Sequence, residues 1–221
     1  MAPLKLYYYP PCPPYRAVLF AIENLKIEVE KIQVDLSKEE QLKPEFLKIN
    51  PQHCLPTIDD DGYIMWESRA ILAYLVNSRA PGSSFYPLDP KKRGLIDSRL
   101  SLDSSIMNAL GNIITGIYCG ETTIPQNKKD KVYTLLNHLN NFIEGKKYIA
   151  GDEITIADFA FLSTFSSLKI VGANVAKYKN LVDWYKRCES VPGFEENEER
   201  ARALIKYISS KSGFKGEPWD Q

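Results

Sequence analysis

The hydrophobic periodicity of this chain changes at about residue 80, and that change restricts the fold more than any other feature. Before it, short apolar runs alternate with helix-like stretches. From about Lys91 onward, apolar residues recur almost only at helical spacing. A pattern of this kind predicts an α/β layer over residues 1–80, a linker over 81–90 and an all-helical domain over 91–221, each burying its own apolar faces. The linker is marked by Ala80-Pro81-Gly82-Ser83-Ser84, where proline and glycine punctuate the chain and no periodic pattern crosses.

Within the first part, Leu4 to Tyr9 reads as a strand that runs into a loop fixed by prolines, because aromatic and branched residues favour the pleated surface. After Pro14, the positions Val18, Ala21, Ile22 and Leu25 fall on one helical face, and Ile27 to Val34 reads as a second strand. A βαβ unit of this size predicts parallel pairing through a right-handed crossover. Pro44 to Ile49 predicts a short helix ended by Asn50-Pro51. Leu55 to Ile58 and Tyr63 to Trp66 predict a hairpin turned by Asp59-Asp60-Asp61-Gly62, and Ser68 to Asn77 a helix. The order is βαβαββα. Beyond the linker, helices are expected near 91–119, 127–144, 155–171, 180–190 and 195–209, and Thr155-Ile156-Ala157-Asp158 has the form of a capping box.

Hydrophobic residues make up 44% of the 221, enough for sizeable cores, and 28 Lys and Arg balance 28 Asp and Glu. Without a net positive field, nucleic acid and anionic membranes are poor partners for the chain. No apolar run approaches the roughly 20 residues that span a bilayer, and the first residues lack the pattern of a secretory signal. The expectation is a cytoplasmic protein. Cys12, Cys54, Cys119 and Cys188 are too few for a disulfide scaffold and lack metal-binding spacing. His53 and His138 lie far apart, so no metal is expected.

Three local patterns carry chemistry. Cys12-Pro13-Pro14-Tyr15-Arg16 puts a thiol where a strand ends and a helix starts. Backbone N–H groups and the helix dipole favour a thiolate there, although the two prolines remove their own donors. In Asn50 to Thr57, Pro56 stands at the entry of a strand, where a cis bond would turn the Leu55 N–H and C=O outward to pair with an extended peptide. Glu67-Ser68-Arg69 joins a strand to a helix. Its N–H groups, hydroxyl and dipole suit a carboxylate while Glu67 suits an ammonium, so the segment fits an amino-acid head group.

These patterns together resemble the cytosolic glutathione transferases, most closely the insect delta and epsilon classes. The likeness rests on the Cys12 to Arg16 loop, Leu42 to His53, Leu55-Pro56-Thr57, Trp66-Glu67-Ser68-Arg69-Ala70-Ile71 and the Thr155 to Asp158 cap, in order along nearly the whole chain. The resemblance implies a thioredoxin-like N-terminal domain followed by an all-α domain, usually as a homodimer. Reduced glutathione is then the co-substrate, no cofactor is permanently bound, and a small hydrophobic electrophile lies between the domains. It implies that Glu67 and Ser68 clamp the γ-glutamyl group with Arg69 at the rim, and that Leu55 pairs with the cysteinyl part beside a cis Pro56. His53, with Gln41 nearby, would meet the glycyl carboxylate.

At the position of the family's catalytic serine the chain has Cys12, whose thiol is a poorer hydrogen-bond donor than a hydroxyl. Three readings stay open at this level. In one, Cys12 or a neighbouring hydroxyl, Tyr9 or Tyr15, stabilises the glutathione thiolate for conjugation. In another, Cys12 forms a mixed disulfide and the protein is a thiol transferase of omega-like type. In the third it binds glutathione or apolar ligands without turnover. For the electrophile pocket, Met107, Gly111, Ile114 and Tyr118 form one helical stripe. Met107, Asn108 and Tyr118, with Phe214 from the C-terminal segment, are the expected lining.

Overall fold

The computed structural model describes residues 3–214 and 218–219 of the chain. Strand β1 (Leu4–Tyr8) leads through the proline loop into α1 (Pro13–Leu25). Strand β2 (Val29–Gln33) and two single 3₁₀ turns (Leu36–Lys38 and Glu40–Leu42) follow, then the short α2 (Pro44–Leu47). The hairpin β3 (Thr57–Asp60) and β4 (Tyr63–Trp66) leads into α3 (Ser68–Arg79). The sheet order is β2-β1-β3-β4, with β1 and β2 parallel and the remaining pairs antiparallel. This is the thioredoxin-like layer expected from the sequence, and the helical domain follows it.

Three local boundaries differ from the sequence reading. Leu55 and Pro56 precede β3 instead of opening it, since the strand pairs only from Thr57, opposite Tyr7 and Trp66. The hairpin bend narrows to Asp61 and Gly62, both at positive φ (55° and 90°), the conformation that a tight two-residue hairpin turn needs. The 3₁₀ turns at 36–42 were not expected. The first is capped by Asp35, whose carboxylate accepts from the Ser37 N–H at 2.9 Å.

The helical part comprises α4 (Pro90–Tyr118), α5 (Gln126–Phe142), α6 (Ile156–Ile170), α7 (Lys179–Arg187) and α8 (Phe194–Ser212), with a 3₁₀ turn at Cys188–Ser190. Asp89 caps α4 by accepting from Lys92 N–H at 2.8 Å, and Pro90 takes the first turn, where its missing N–H costs nothing. The connection before it is not a free tether: Tyr86 is buried, and the Phe85 carbonyl accepts from Ile156 N–H at 3.0 Å.

Helix α6 is buried from Ile156 to Leu168 on all sides, so it is the axis of the molecule. Its start has the expected capping box. Thr155 accepts from Ala157 N–H, and Asp158 reaches back to the Thr155 N–H at 2.8 Å. Asp158 also accepts from Ile149 N–H at 2.9 Å and from Trp184 Nε1–H at 2.8 Å, tying α6 to α7 and to the turn before it. The two domains share one core, in which Phe20 of α1 stacks on Phe159 of α6 with centroids 5.9 Å apart. Among the described residues no helix is long and apolar enough to cross a membrane.

Candidate functional site

The sheet register decides which segments meet. Ile32, Tyr7, Thr57 and Trp66 lie side by side across β2, β1, β3 and β4. Cys12 follows β1 at this end of the sheet, Leu55 and Pro56 precede β3, Glu67 and Ser68 follow β4, and Gln41 follows β2. Segments up to 56 positions apart therefore open at one end of the sheet, with the N-termini of α1 and α3 beside it.

Cys12 is the N-cap of α1. Of the first amides in that helix, Pro13 and Pro14 have none and Arg16 N–H closes the first turn on the Cys12 carbonyl at 3.1 Å. That leaves Tyr15 N–H to face the sulfur. The Cys12 N–H is taken by the Tyr9 carbonyl at 3.0 Å. The Cys12 thiol donates to the Leu55 carbonyl at 3.7 Å. Burial raises its pKa above the ordinary thiol value, against the lowering effects of the Tyr15 N–H and of Arg16 and Arg69. In the free protein this is a protonated, donating thiol.

Arg16 was not singled out from sequence as a site residue. It is fully buried, and its guanidinium donates to Ser166 Oγ at 2.8 Å, to Ser163 O at 3.2 Å, and to Ser167 Oγ and Asn197 Oδ1. None of these partners is a carboxylate. Burial lowers its pKa to about 10, so the cation survives at neutral pH without a hydrogen-bonded carboxylate, and its field reaches Cys12. The signal in the sequence was the run of hydroxyls at Ser163, Ser166 and Ser167 inside an otherwise apolar helix.

The Leu55–Pro56 bond is cis. Asn50, fully buried, organises the loop: its Nδ2 donates to Cys54 O at 3.1 Å and to Thr57 Oγ1 at 2.9 Å, and its Oδ1 accepts from Gln52 N–H at 2.9 Å. Gln52 Oε1 in turn accepts from Trp66 Nε1–H at 2.6 Å, bracing this loop against the end of β4. His53 is exposed at φ 45°, and Glu67 is exposed at φ 71°. Side chains rarely take these conformations outside sites where the surrounding structure imposes them. Gln41 is half-buried, and its Oε1 has no hydrogen-bond partner.

Ser68 is buried at the first position of α3, and its Oγ accepts from Arg69 Nη1 at 2.9 Å. The Arg69 side chain is mostly out of solvent. Its Nε donates to Asp103 Oδ2 at 2.8 Å and its Nη2 to the same oxygen, which joins α3 to α4. Asp103 is fully buried, and its Oδ1 is without a partner. Sequence reasoning missed Asp103, although an acid on the apolar stripe Leu100, Ile106, Leu110 of α4 was a visible anomaly.

On the helical side, Met107, Asn108, Gly111 and Ile114 line a cavity of about 600 Å³ that opens against Pro13 and Pro14. Tyr118 lies exposed at the end of α4, hydrogen-bonded to Tyr207 of α8, and both interact electrostatically with Tyr9. Phe214 is a correction. The left-handed turn at Gly213 folds it onto the α4–α5 connection, where it is buried in a separate cavity with Thr122, Ile124 and Trp219. Tyr15 is also set apart: it packs on Tyr8, and the charged groups nearest it are Arg200 and Glu196.

Two family models match the chain, the glutathione S-transferase N-terminal domain over residues 2–77 and the C-terminal domain over 106–192. Glutathione S-transferase D7 of Drosophila melanogaster is 37% identical over 211 residues, 94% of each chain. Glutathione S-transferase unclassified 2 from Bombyx mori superposes with a TM-score of 0.90 at 39% identity, covering 97% of this chain and all of the other. A glutathione transferase homolog from Drosophila mojavensis, solved with bound glutathione, gives a TM-score of 0.90 at 35% identity over 96% of this chain and 98% of its own.

Proposed function

Since the chain belongs to the glutathione S-transferase family, we propose that reduced glutathione lies along the edge where Gln41, His53, Leu55, Glu67 and Ser68 converge, with its sulfur at Cys12. The enzyme transfers glutathione to electrophiles. The single observation that carries the reading is the sheet register, which brings two helix N-termini, the Leu55 backbone and the exposed Glu67 carboxylate to one end of the sheet.

Each residue then has a physical task. Glu67 takes the γ-glutamyl ammonium, and Ser68 with the first amides of α3 takes its carboxylate. Arg69, held by Asp103, fixes the Ser68 hydroxyl and is a positioning residue. Leu55 pairs with the cysteinyl amide beside Pro56, and His53 and Gln41 meet the glycyl carboxylate. When the tripeptide binds, the Cys12 S–H turns from the Leu55 carbonyl to the glutathione sulfur. Together with Tyr15 N–H and the field of Arg16 it stabilises the thiolate. The thiolate attacks a hydrophobic electrophile held by Met107, Asn108 and, at the outer mouth, Tyr118. Tyr9 is the hydroxyl nearest in role to a second donor. Phe214 has no part in this pocket. The enzyme acts in the cytoplasm, in detoxification, as a homodimer, and glutathione is its co-substrate with no cofactor permanently bound.

The half-buried Cys12 thiol, which donates to the Leu55 carbonyl and whose pKa is raised, supports conjugation over turnover through a Cys12 mixed disulfide. Calorimetry with reduced glutathione, paired with conjugation of a reactive aryl halide and reduction of a glutathione mixed disulfide, tests this reading. Binding with aryl transfer is expected. Binding with rapid disulfide reduction and no aryl transfer would replace conjugation by thiol transfer, binding with neither would leave a carrier, and no binding would overturn the site.

A further inference from the structure

The outer half of α4 carries an arrangement that the conjugation mechanism does not use. The helix ends in a Schellman turn. Gly120, at φ 100°, brings its N–H to the Ile117 carbonyl, and the Glu121 N–H reaches the Gly116 carbonyl, both at 2.9 Å. The chain thereby folds Glu121 back over the helix at Gly116. From the first turn of α5, Lys128 Nζ meets both Glu121 carboxylate oxygens, at 2.9 and 3.1 Å, and donates to the Asn112 carbonyl at 3.2 Å. Gly116 is buried beneath this pair. A Cβ placed there would collide with Glu121 Oε2 and lie 2.7 Å from Lys128 Nζ, so the ion pair fills a notch that glycine leaves open.

The clamped turns are the ones that border the electrophile cavity. Gly111, Asn112, Ile114 and Thr115 line it together with Met107 and Asn108. From Asn112 to Tyr118, Ile113, Gly116 and Ile117 are the residues buried in the core, so this end of α4 has few apolar anchors of its own. Lys128 supplies a polar anchor from the neighbouring helix, applied to the backbone of a residue in the cavity wall.

We propose that Lys128 is a positioning residue for conjugation: seated with Glu121 in the Gly116 notch, it holds the outer wall of the electrophile cavity at one width and so sets which electrophiles fit. The inference rests on the electrophile placement above and goes beyond it by naming a substrate class, electrophiles with an extended apolar tail. A compact electrophile beside Met107 and Asn108 does not reach the clamped turns. One with a long tail lies along Ile114 and Thr115 toward Tyr118, and gains from burial while that wall stays in place.

The test uses the full-length protein, reduced glutathione and the alkyl esters of para-chlorodinitrobenzoic acid from methyl to octyl. All share one reacting carbon, where the thiolate forms the carbon–sulfur bond and chloride leaves with its electron pair. Each methylene buried along the wall raises kcat/KM by up to about fourfold. In the wild-type protein kcat/KM should therefore climb with tail length. Lys128→Met should flatten the climb, so that the octyl ester loses about tenfold, chiefly in KM, while the methyl ester and the KM for glutathione keep their wild-type values. Gly116→Ala should do the same, although alanine ordinarily favours a helix over glycine. The double variant should be no worse than Gly116→Ala alone, since both changes break one clamp. If Gly116→Ala does not fold, Glu121→Gln replaces it, with a loss of about threefold for the octyl ester. A wild-type profile in Lys128→Met, or an equal loss for methyl and octyl esters, overturns the role of Lys128 and leaves the function standing. A wild-type series without a climb removes the tails from this cavity and overturns the electrophile placement together with this inference, and no transfer to any ester overturns conjugation itself.

Discussion

Replacing Asp158 by alanine tests the energetic centre of the fold. The carboxylate is fully buried and receives three N–H groups, from Ile149 and Thr155 of the main chain and from Trp184 Nε1, as well as the Thr155 hydroxyl at 3.1 Å. Alanine removes every acceptor and leaves those donors buried. One unsatisfied buried donor costs about 1–3 kcal/mol, and the lost N-terminal cap about 1 kcal/mol more. Partial relaxation keeps the sum at about 4 kcal/mol, a large part of the roughly 5–15 kcal/mol that holds a typical domain together. At about 2–4 °C per kcal/mol for a chain of this size, the melting midpoint falls by about 8–16 °C. Urea titration read by tryptophan fluorescence measures this directly, because Trp184 is buried against the substituted position. Asp158→Asn, which keeps one acceptor oxygen, should fall between the two. A loss below about 1 kcal/mol for the alanine variant would show that water or rearranged backbone satisfies the donors, and the argument from buried hydrogen bonds would fail. Burial raises the Asp158 pKa to about 6, above its unfolded value near 3.8. The native state therefore binds this proton more tightly, and the associated stability is fully present below about pH 4 and lost as pH rises through 6. The wild-type advantage over alanine should accordingly be largest in acid.

Three further outcomes concern the site. Cys12→Ser should raise kcat/KM for aryl conjugation by about fivefold, since a hydroxyl donor is worth about 1 kcal/mol more to the thiolate than S–H; an unchanged or lower value would remove Cys12 as donor. Asp103→Asn should raise the KM for glutathione by about tenfold and lower stability by about 3 kcal/mol, because Arg69 loses its charged partner and releases Ser68; unchanged KM would confine the pair to a structural role. Alkylation of Cys12 by iodoacetamide should be slower than that of exposed Cys119 at neutral pH and should accelerate as pH rises, because burial holds the thiol protonated; fast labelling in weak acid would refute the raised pKa.

Local signals carried most of the architecture. Proline placement set the starts of α1, α2 and α4, the Asp61-Gly62 pair set the hairpin, and the Thr155 to Asp158 spacing set the start of α6. Each involves residues a few positions apart, whose geometry the chain fixes by itself. Leu55 and Pro56 were misplaced into a strand because apolar content near β3 does not reveal where pairing begins. That depends on Tyr7 and Trp66, remote in sequence.

The order of elements and the positions of Cys12, Leu55, Glu67 and Ser68 at element ends were determined by the sequence alone, because backbone chemistry and periodicity act over short range. Only the tertiary structure decided that Arg69 is tied to Asp103, that Arg16 is buried among serines with no carboxylate hydrogen-bonded to it, and that Phe214 turns away from the pocket. Each of these depends on contacts between segments far apart along the chain, and the pattern of either segment by itself does not contain its partner.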